Sequence, residues 1–343
     1  MTGTGTTNAR TARAAVVPTA GDDVLVESLG RLFPASAGAI VSVRLEPIEF
    51  ATLCSVERLT VDFSTGRSLA LFTKHLDERH ADHPDKARRD REALVYERLL
   101  APSVGLPAPR FYGSRQDKGR CDTQLFLEFV DDWSLKYQEL SHWYEAAKRL
   151  GELHAHFAAR ADELRGCGFL LQLRQPYFVA WADRARAVTS QLSPNLGKRL
   201  ARALRGYPGI ADGLGRQPVT LVHNDLAPKN VIADRSASPA RICFVDWEMA
   251  GVGCGLLDLV HLKYGLEPAS GATMVATYRR ALSGSGALPE DDREFARLLA
   301  ACELHKTLYR LAHCDRWALP VERVAEWVDD ARSFASRATG GAS

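Results

Sequence analysis

The sequence predicts an α+β chain in two parts, a small β-rich N-terminal part and a larger, mostly helical C-terminal part. Two observations carry this. Between residues 39 and 130, short runs rich in Val, Leu and Ile are broken by turn residues. After Asp131 the apolar residues instead recur every three or four positions. With 343 residues, 46% hydrophobic and 25% charged, the chain is long enough for a sizeable core in about two domains.

Residues 1–20 are rich in Thr, Ala and Gly, with Arg10 and Arg13 and no acid. Such a start suits a disordered tail, with a transit peptide as the alternative. Val24, Leu25, Leu29, Leu32 and Phe33 then recur at helical spacing. Residues 39–45 and 54–63 read as strands. A turn at 64–66 leads into another strand over 68–74, which is a hairpin pattern. The charged segment 77–86, with His80, His83 and Pro84, reads as a solvated loop, and no metal role is expected for it or for His75. Residues 87–100 form an amphipathic helix with Leu94, Val95, Leu99 and Leu100 on one side. Two further strands follow at 110–113 and 123–130. Helices are expected over 141–160 and most of 178–207. A hairpin-like stretch over 220–246 precedes further helices to the C-terminus. The expected division is therefore a tail at 1–20, an N-terminal part at 21–130 and a C-terminal part at 131–343.

Several function classes drop out on composition. Net charge is +2, so no basic field points to nucleic acid. No apolar run approaches about 18 residues, so no membrane span is expected. The seven cysteines are scattered, odd in number and without C-x-x-C spacing, which argues against a disulfide framework or structural zinc. Thiols of that kind suit a reducing, cytoplasmic setting.

The segment with chemistry is 221–258, LVHNDLAPKNVIADRSASPARICFVDWEMAGVGCGLLD. Asp225 precedes a tight loop, Asn230 follows five residues later, and Asp246 ends a strand sixteen residues after that. Three oxygen-bearing side chains are thus expected at one mouth. Carboxylate and amide oxygens are what Mg2+ takes, with substrate phosphates completing its octahedron.

H-x-D-x4-N followed by a strand ending in Asp resembles the catalytic and metal segments of the protein-kinase-like superfamily. The form HNDLAPKN then FVDWE is most similar to the aminoglycoside phosphotransferase and choline kinase branch. Asp258 follows Asp246 by only twelve residues, which leaves no room for an activation loop, and no A-P-E signature follows. The resemblance implies a bilobal protein-kinase-like fold, with 21–130 as nucleotide-binding lobe and 131–343 as catalytic and acceptor lobe. It implies ATP (or GTP) and Mg2+ as cofactors and a small hydroxyl-bearing acceptor as partner, in a monomer or weak dimer.

The residue roles follow the same resemblance. Asp225 would be the catalytic carboxylate, orienting the acceptor hydroxyl, and Asn230 and Asp246 would hold Mg2+. Lys74 would contact the α- and β-phosphates, paired with Glu92. Glu128, Phe129 and Val130 resemble the hinge that meets the base. Ile232 and Val245 would flank the base, with core packing as the alternative. His223 and Asp258 would brace the catalytic loop, and Lys229 is either a γ-phosphate contact or a solvated lysine. The nucleotide loop is expected near 49–56, a stretch with no glycine.

The acceptor is less defined. Acids number 9 against 13 bases in 131–222, and 13 against 11 in 247–343, so no acidic surplus awaits a polycation. Tyr177, Phe178, Trp181, Trp247, Tyr309 and Trp317 face either a flatter acceptor or the core. Glu303, His305 and Tyr309 share a predicted helix and are candidate acceptor contacts. The expected function is phosphorylation of an antibiotic or other natural product. The alternatives are a metabolic kinase for an amino alcohol, sugar or nucleoside-like compound, and a nucleotide-binding pseudoenzyme.

Overall fold

In the computed structural model, the described residues are 22–33, 35–48, 56–76, 83–117, 122–317 and 319–341. The expected tail at 1–20 and residues 49–55 of the nucleotide loop lie outside them. The chain forms two compact units, one of residues up to 78 with 110–129, the other of 79–109 with 130–343.

The first unit opens with helix α1 (Asp22–Leu32) and continues through strands β1 (Ile40–Pro47), β2 (Val56–Phe63), β3 (Ser68–Leu76), β4 (Phe111–Asp117) and β5 (Asp122–Glu128). The strands form one antiparallel sheet in the order β1-β2-β3-β5-β4. The two-residue period of β2 buries Leu59, Val61 and Phe63, which cluster with Leu71, Phe126 and, from α1, Leu25 and Leu29. The β2–β3 turn needs its glycine, since Gly66 has φ 79°.

The second unit begins with the short helix α2 (Arg91–Val95), which a π-helical turn extends to Leu100. Helices α3 (Leu140–Ala158) and α4 (Ala161–Gly166) lead through strand β6 (Leu171–Gln172) to α5 (Gln175–Leu192), α6 (Pro194–Ala203) and α7 (Tyr207–Gly215). Strands β7 (Thr220–Val222), β8 (Val231–Asp234), β9 (Arg241–Phe244) and β10 (Gly251–Gly253) follow. Helices α8 (Leu256–Leu262), α9 (Pro268–Ala281), α10 (Asp292–Leu311) and α11 (Val321–Ala338) complete it. β6, β10 and β7 make one small sheet, and β8 and β9 a hairpin with Val231 opposite Phe244. Helix α10 is the centre of the helical core. Asp291 caps its N-terminus by accepting from the Arg293 and Glu294 amides, and Phe295, Leu298, Cys302, Leu308 and Leu311 are buried along it.

The division departs from the expected boundary at 130, because the described residues 83–109 pack with the second unit. The reason is hydrogen bonding from α2. Buried Arg91 donates to the carbonyl oxygens of Phe169 at 2.9 Å, Glu248 at 2.6 Å and also Asp85. The Glu92 carboxylate accepts from the Trp247 amide at 3.2 Å. The solvated-loop expectation is corrected too. Residues Pro84–Lys86 form a 3-10 turn, and the His83 ring stacks on His313 with centroids 5.1 Å apart and 5° between planes. His75 is half-buried, 3.8 Å from Glu57, and His80 lies outside the described residues.

Replacing Arg91 by Met would leave three carbonyl oxygens without their donor. The expected loss is about 3 kcal/mol or more, read as a lower melting temperature. A second prediction concerns acid. His305 is fully buried, both its ring nitrogens lack partners, and burial holds its pKa well below the ordinary histidine value. Burial also lowers His83, to about 3, and His261 and His313. Below about pH 6.5 the unfolded chain takes up protons that these folded rings refuse, so stability falls as pH drops. His305→Phe is expected to flatten the fall in stability between pH 7 and 5, by up to about 1.4 kcal/mol per pH unit. Denaturant titrations at the two pH values check this.

Candidate active site

The candidate catalytic loop, residues 223–230, hangs from one buried carboxylate. Strand β7 is buried at all three positions and delivers His223 and Asn224 to Asp258, which α8 holds with no exposure to solvent. Asp258 Oδ2 accepts from the His223 amide at 2.7 Å, and Oδ1 from the Asn224 amide at 2.8 Å. His154 Nε2 lies 3.4 Å from Oδ2, and its Nδ1 bonds the Tyr278 hydroxyl at 2.7 Å. Burial pushes the Asp258 pKa up, but His154, His223 and Lys306 outweigh it and keep it below the ordinary carboxyl value. The approach of α8 depends on Gly255, because a Cβ there would come within 2.5 Å of His154 Nδ1.

Asn224, the residue before Asp225, has φ 67°, in the left-handed region. Three side-chain contacts hold it. Its Nδ2 donates to the Tyr177 hydroxyl at 3.0 Å. The buried ammonium of Lys306 donates to its carbonyl oxygen at 2.7 Å and its Oδ1 at 3.2 Å. Tyr177 in turn donates to Asp85 at 2.8 Å.

Around Asp225, Asn230 Nδ2 donates to the backbone oxygen at 2.8 Å and to Oδ2 at 3.2 Å. Lys229 Nζ stands 3.7 Å from Oδ2 with an exposed side chain, and His261 Nε2 lies 3.8 Å from Oδ1. The Val245 amide donates to the Asn230 oxygen at 3.0 Å, which ties the end of β9 to the loop. Asp246 follows, also left-handed, with φ 71°. His223 Nε2 bonds the Val245 oxygen at 2.8 Å, and its ring packs against buried Trp247 at 4.5 Å. His223 and Asp258 therefore brace the loop by hydrogen bonds.

Asn230 spends its Nδ2 on Asp225, which leaves its Oδ1 as an oxygen donor, and Asp246 directly follows Val245, whose amide bonds the Asn230 backbone oxygen. Two hard oxygens fit Mg2+, which keeps waters and takes phosphates for its remaining positions. Among the described residues no cluster of three or more His, Cys, Asp or Glu is set to ligate a metal.

The other candidates divide between the units. Lys74 is buried on β3 in the first unit, opposite Val56 and Leu125. Glu128 accepts from the Arg110 amide at 3.0 Å, and Phe129 lies under the Arg58 guanidinium at 4.7 Å. Val130, Ile232 and Val245 belong to the second unit and are half-buried, whereas Val231 and Phe244 are buried.

The three acceptor candidates on α10 do not converge. Glu303 pairs with Lys263 at 2.7 Å and Arg337 at 3.0 Å. His305 offers no atom to a ligand, because α10 buries it against Phe178 of α5, with centroids 4.8 Å apart. Tyr309 packs against the turn at 83–86. Its hydroxyl bonds His83 Nε2 at 2.7 Å, and burial together with Asp225, Asp85 and Glu248 raises its pKa. Of the aromatic residues, Phe178, Trp181 and Trp247 are core and Trp317 is exposed.

Sequence reasoning missed Asp85, Lys86, Lys306 and His261. Lys306 had a signal, a lysine inside the apolar stripe of α10, and His261 lies one helical turn beyond Asp258. Asp85 and Lys86 had none, since their segment has the composition of a solvated loop.

Residues 78–299 match the phosphotransferase enzyme family (APH), a span that takes in α2, the catalytic loop, Asp246 and Asp258. No curated protein matches the chain significantly. Among solved structures, the GDP complex of wild-type aminoglycoside 2'-phosphotransferase-IIIa is similar with a TM-score of 0.56 at 14% identity, over 87% of this chain and 93% of its own. A macrolide 2'-phosphotransferase from Brachybacterium faecium gives 0.53 at 16%, over 94% and 99%. A microcompartment-associated aminopropanol kinase gives 0.50 at 16%, over 92% and 96%. At such identities the likeness is one of fold, the α+β kinase-like architecture that the sequence predicts. The family match covers well over half of the chain, and it contains every residue of the loop just described. The chain belongs to the phosphotransferase enzyme family.

Proposed function

We propose that this phosphotransferase moves the γ-phosphate of ATP or GTP to a hydroxyl of a small molecule, an antibiotic or other natural product carrying few positive charges. The observation that supports the reading is the grouping of Asp225, Asn230 and Asp246 around one braced loop. Asp225 accepts a hydrogen bond from the acceptor hydroxyl and aligns it for attack. Phosphoryl transfer passes through a loose transition state, so this alignment matters more than strong basicity. Asn230 and Asp246 hold Mg2+, whose chemistry is to neutralise charge on the phosphate oxygens. Lys74 contributes a further phosphate contact.

The low charge of the acceptor rests on local pairing. Near the loop, Asp85 already accepts from Tyr177 and Glu248 pairs with Lys86. A polyamine would find few unmatched carboxylates there. Nucleotide consumption over a panel of neutral, anionic and polycationic hydroxyl compounds tests this reading. Drug tolerance of a sensitive host that expresses the chain tests the antibiotic assignment. Turnover of an amino alcohol or sugar, with no change in tolerance, would instead favour a metabolic kinase.

Asp225→Asn is expected to lower kcat about a thousandfold while nucleotide affinity is kept. Asp246→Ala should abolish Mg2+-dependent transfer, as one of two protein ligands is lost. Steady-state kinetics with Mg2+ titration measures both.

A further inference from the structure

We propose that Lys86 is a catalytic residue, an ammonium that contacts the γ-phosphoryl group during transfer. The inference rests on the phosphotransfer reading above and uses residues of the second unit only.

Lys86 ends the Pro84–Lys86 turn, and that turn is held without it. His83 Nδ1 caps the turn by accepting from the Asp85 amide at 3.2 Å, and its Nε2 bonds Tyr309. The Asp85 carboxylate accepts from Tyr177, and the Asp85 carbonyl from Arg91. The side chain of Lys86 is therefore not needed to dock its own segment. It is mostly buried, and its ammonium donates to Glu248 Oε1.

Glu248 lies two residues beyond Asp246, and the ammonium also interacts with the carboxylates of Asp246 and Asp225. Burial works against its charge, but Glu248, then Asp246 and Asp225, outweigh it and leave the Lys86 pKa above the ordinary lysine value. By geometry Lys86 is joined through Glu248 to the stretch just after Asp246, and its neighbour Asp85 is joined through Tyr177 to Asn224, the residue before Asp225. A lysine ammonium has three donors, and Glu248 takes one of them. Phosphate oxygens are suited to the others, since lysine binds phosphate as a point charge.

In the step itself, the acceptor oxygen forms a bond to the γ-phosphorus as the bond from that phosphorus to the β,γ-bridging oxygen breaks. The nucleoside diphosphate leaves with the electron pair, and the acceptor proton passes to Asp225 and then to water. Lys86 keeps its own proton throughout and stabilises charge on the transferring oxygens.

The test compares the full-length wild type with K86M, E248Q and K229M. Calorimetry with Mg2+ measures the affinities of ADP and of a non-hydrolysable ATP analogue, so no acceptor is required. In K86M the preference for the analogue over ADP should fall about tenfold, with ADP affinity kept. E248Q releases the ammonium from its carboxylate and should keep or raise that preference. Once an acceptor is known, K86M should lose about a hundredfold in kcat with little change in acceptor KM. The inference is overturned if K86M keeps the analogue preference and only lowers the melting temperature as E248Q does, which would make the pair structural. It is also overturned if K229M, not K86M, removes the preference. A wild type that binds neither ATP analogue, GTP analogue nor ADP would overturn the phosphotransfer reading itself.

Discussion

The two oxygens of Asp258 each accept an amide hydrogen from the residues just before Asp225. Both donors are buried, and neither has a ladder partner to fall back on, so the loop has its shape only while that carboxylate is in place. The surrounding elements keep it there. Helix α8 brings Asp258 in, Gly255 lets that helix approach His154, and His154 is held in turn by Tyr278 of α9. Thr220 donates to the His154 carbonyl at 2.9 Å, which closes the circuit through β7. A buried charge of this kind is costly alone, and here it is offset by two amides and three cationic or ionisable neighbours.

A second circuit runs from the turn at 84–86 to the helical core. Asp85, Tyr177, Asn224 and Lys306 form a continuous line of hydrogen bonds, with α10 at one end and the start of α2 near the other. Each member is buried or nearly so, which makes every bond stronger than it would be in water and every vacancy more costly. The two circuits meet at Asn224, whose amide goes to Asp258 and whose side chain goes to Tyr177. Asn224, and with it the candidate catalytic carboxylate of Asp225, is thus held by contacts from α5, α8 and α10 together, elements far apart along the chain.

Much of this was legible in the sequence where the cause is local. The partial alternation over 54–63 and the Val-, Leu- and Ile-rich runs around it announce a sheet because strand pairing and the pleat favour such residues. H-x-D-x4-N is legible because loop geometry constrains the spacing of its members. The bracing by His223 and Asp258 follows from the same short span. What stayed hidden depends on partners remote in sequence. The segment 77–86 carries so many charged groups that a solvated loop is the natural expectation for it, and nothing marks Arg91 on the following helix as buried. Their burial becomes affordable only through Tyr177, Phe169 and Glu248, which lie about eighty to over 150 residues away. His305 shows the opposite error. Its polar ring suggested a ligand contact, whereas its place in the apolar stripe of α10 predicted the core, and the stripe prevailed.

Asn224 and Asp246 are the described non-glycine residues with left-handed backbone, and they flank the same mouth. Each position faces two independent filters. The backbone accepts glycine, asparagine or aspartate without much strain, and excludes branched or bulky residues. The side chain must then also do its own work, bonding Tyr177 at one site and presenting a carboxylate at the other. Glycine would pass the first filter and fail the second at both positions. Substitution at these two positions is therefore confined to almost no neighbouring residue types, whatever the rest of the mouth becomes.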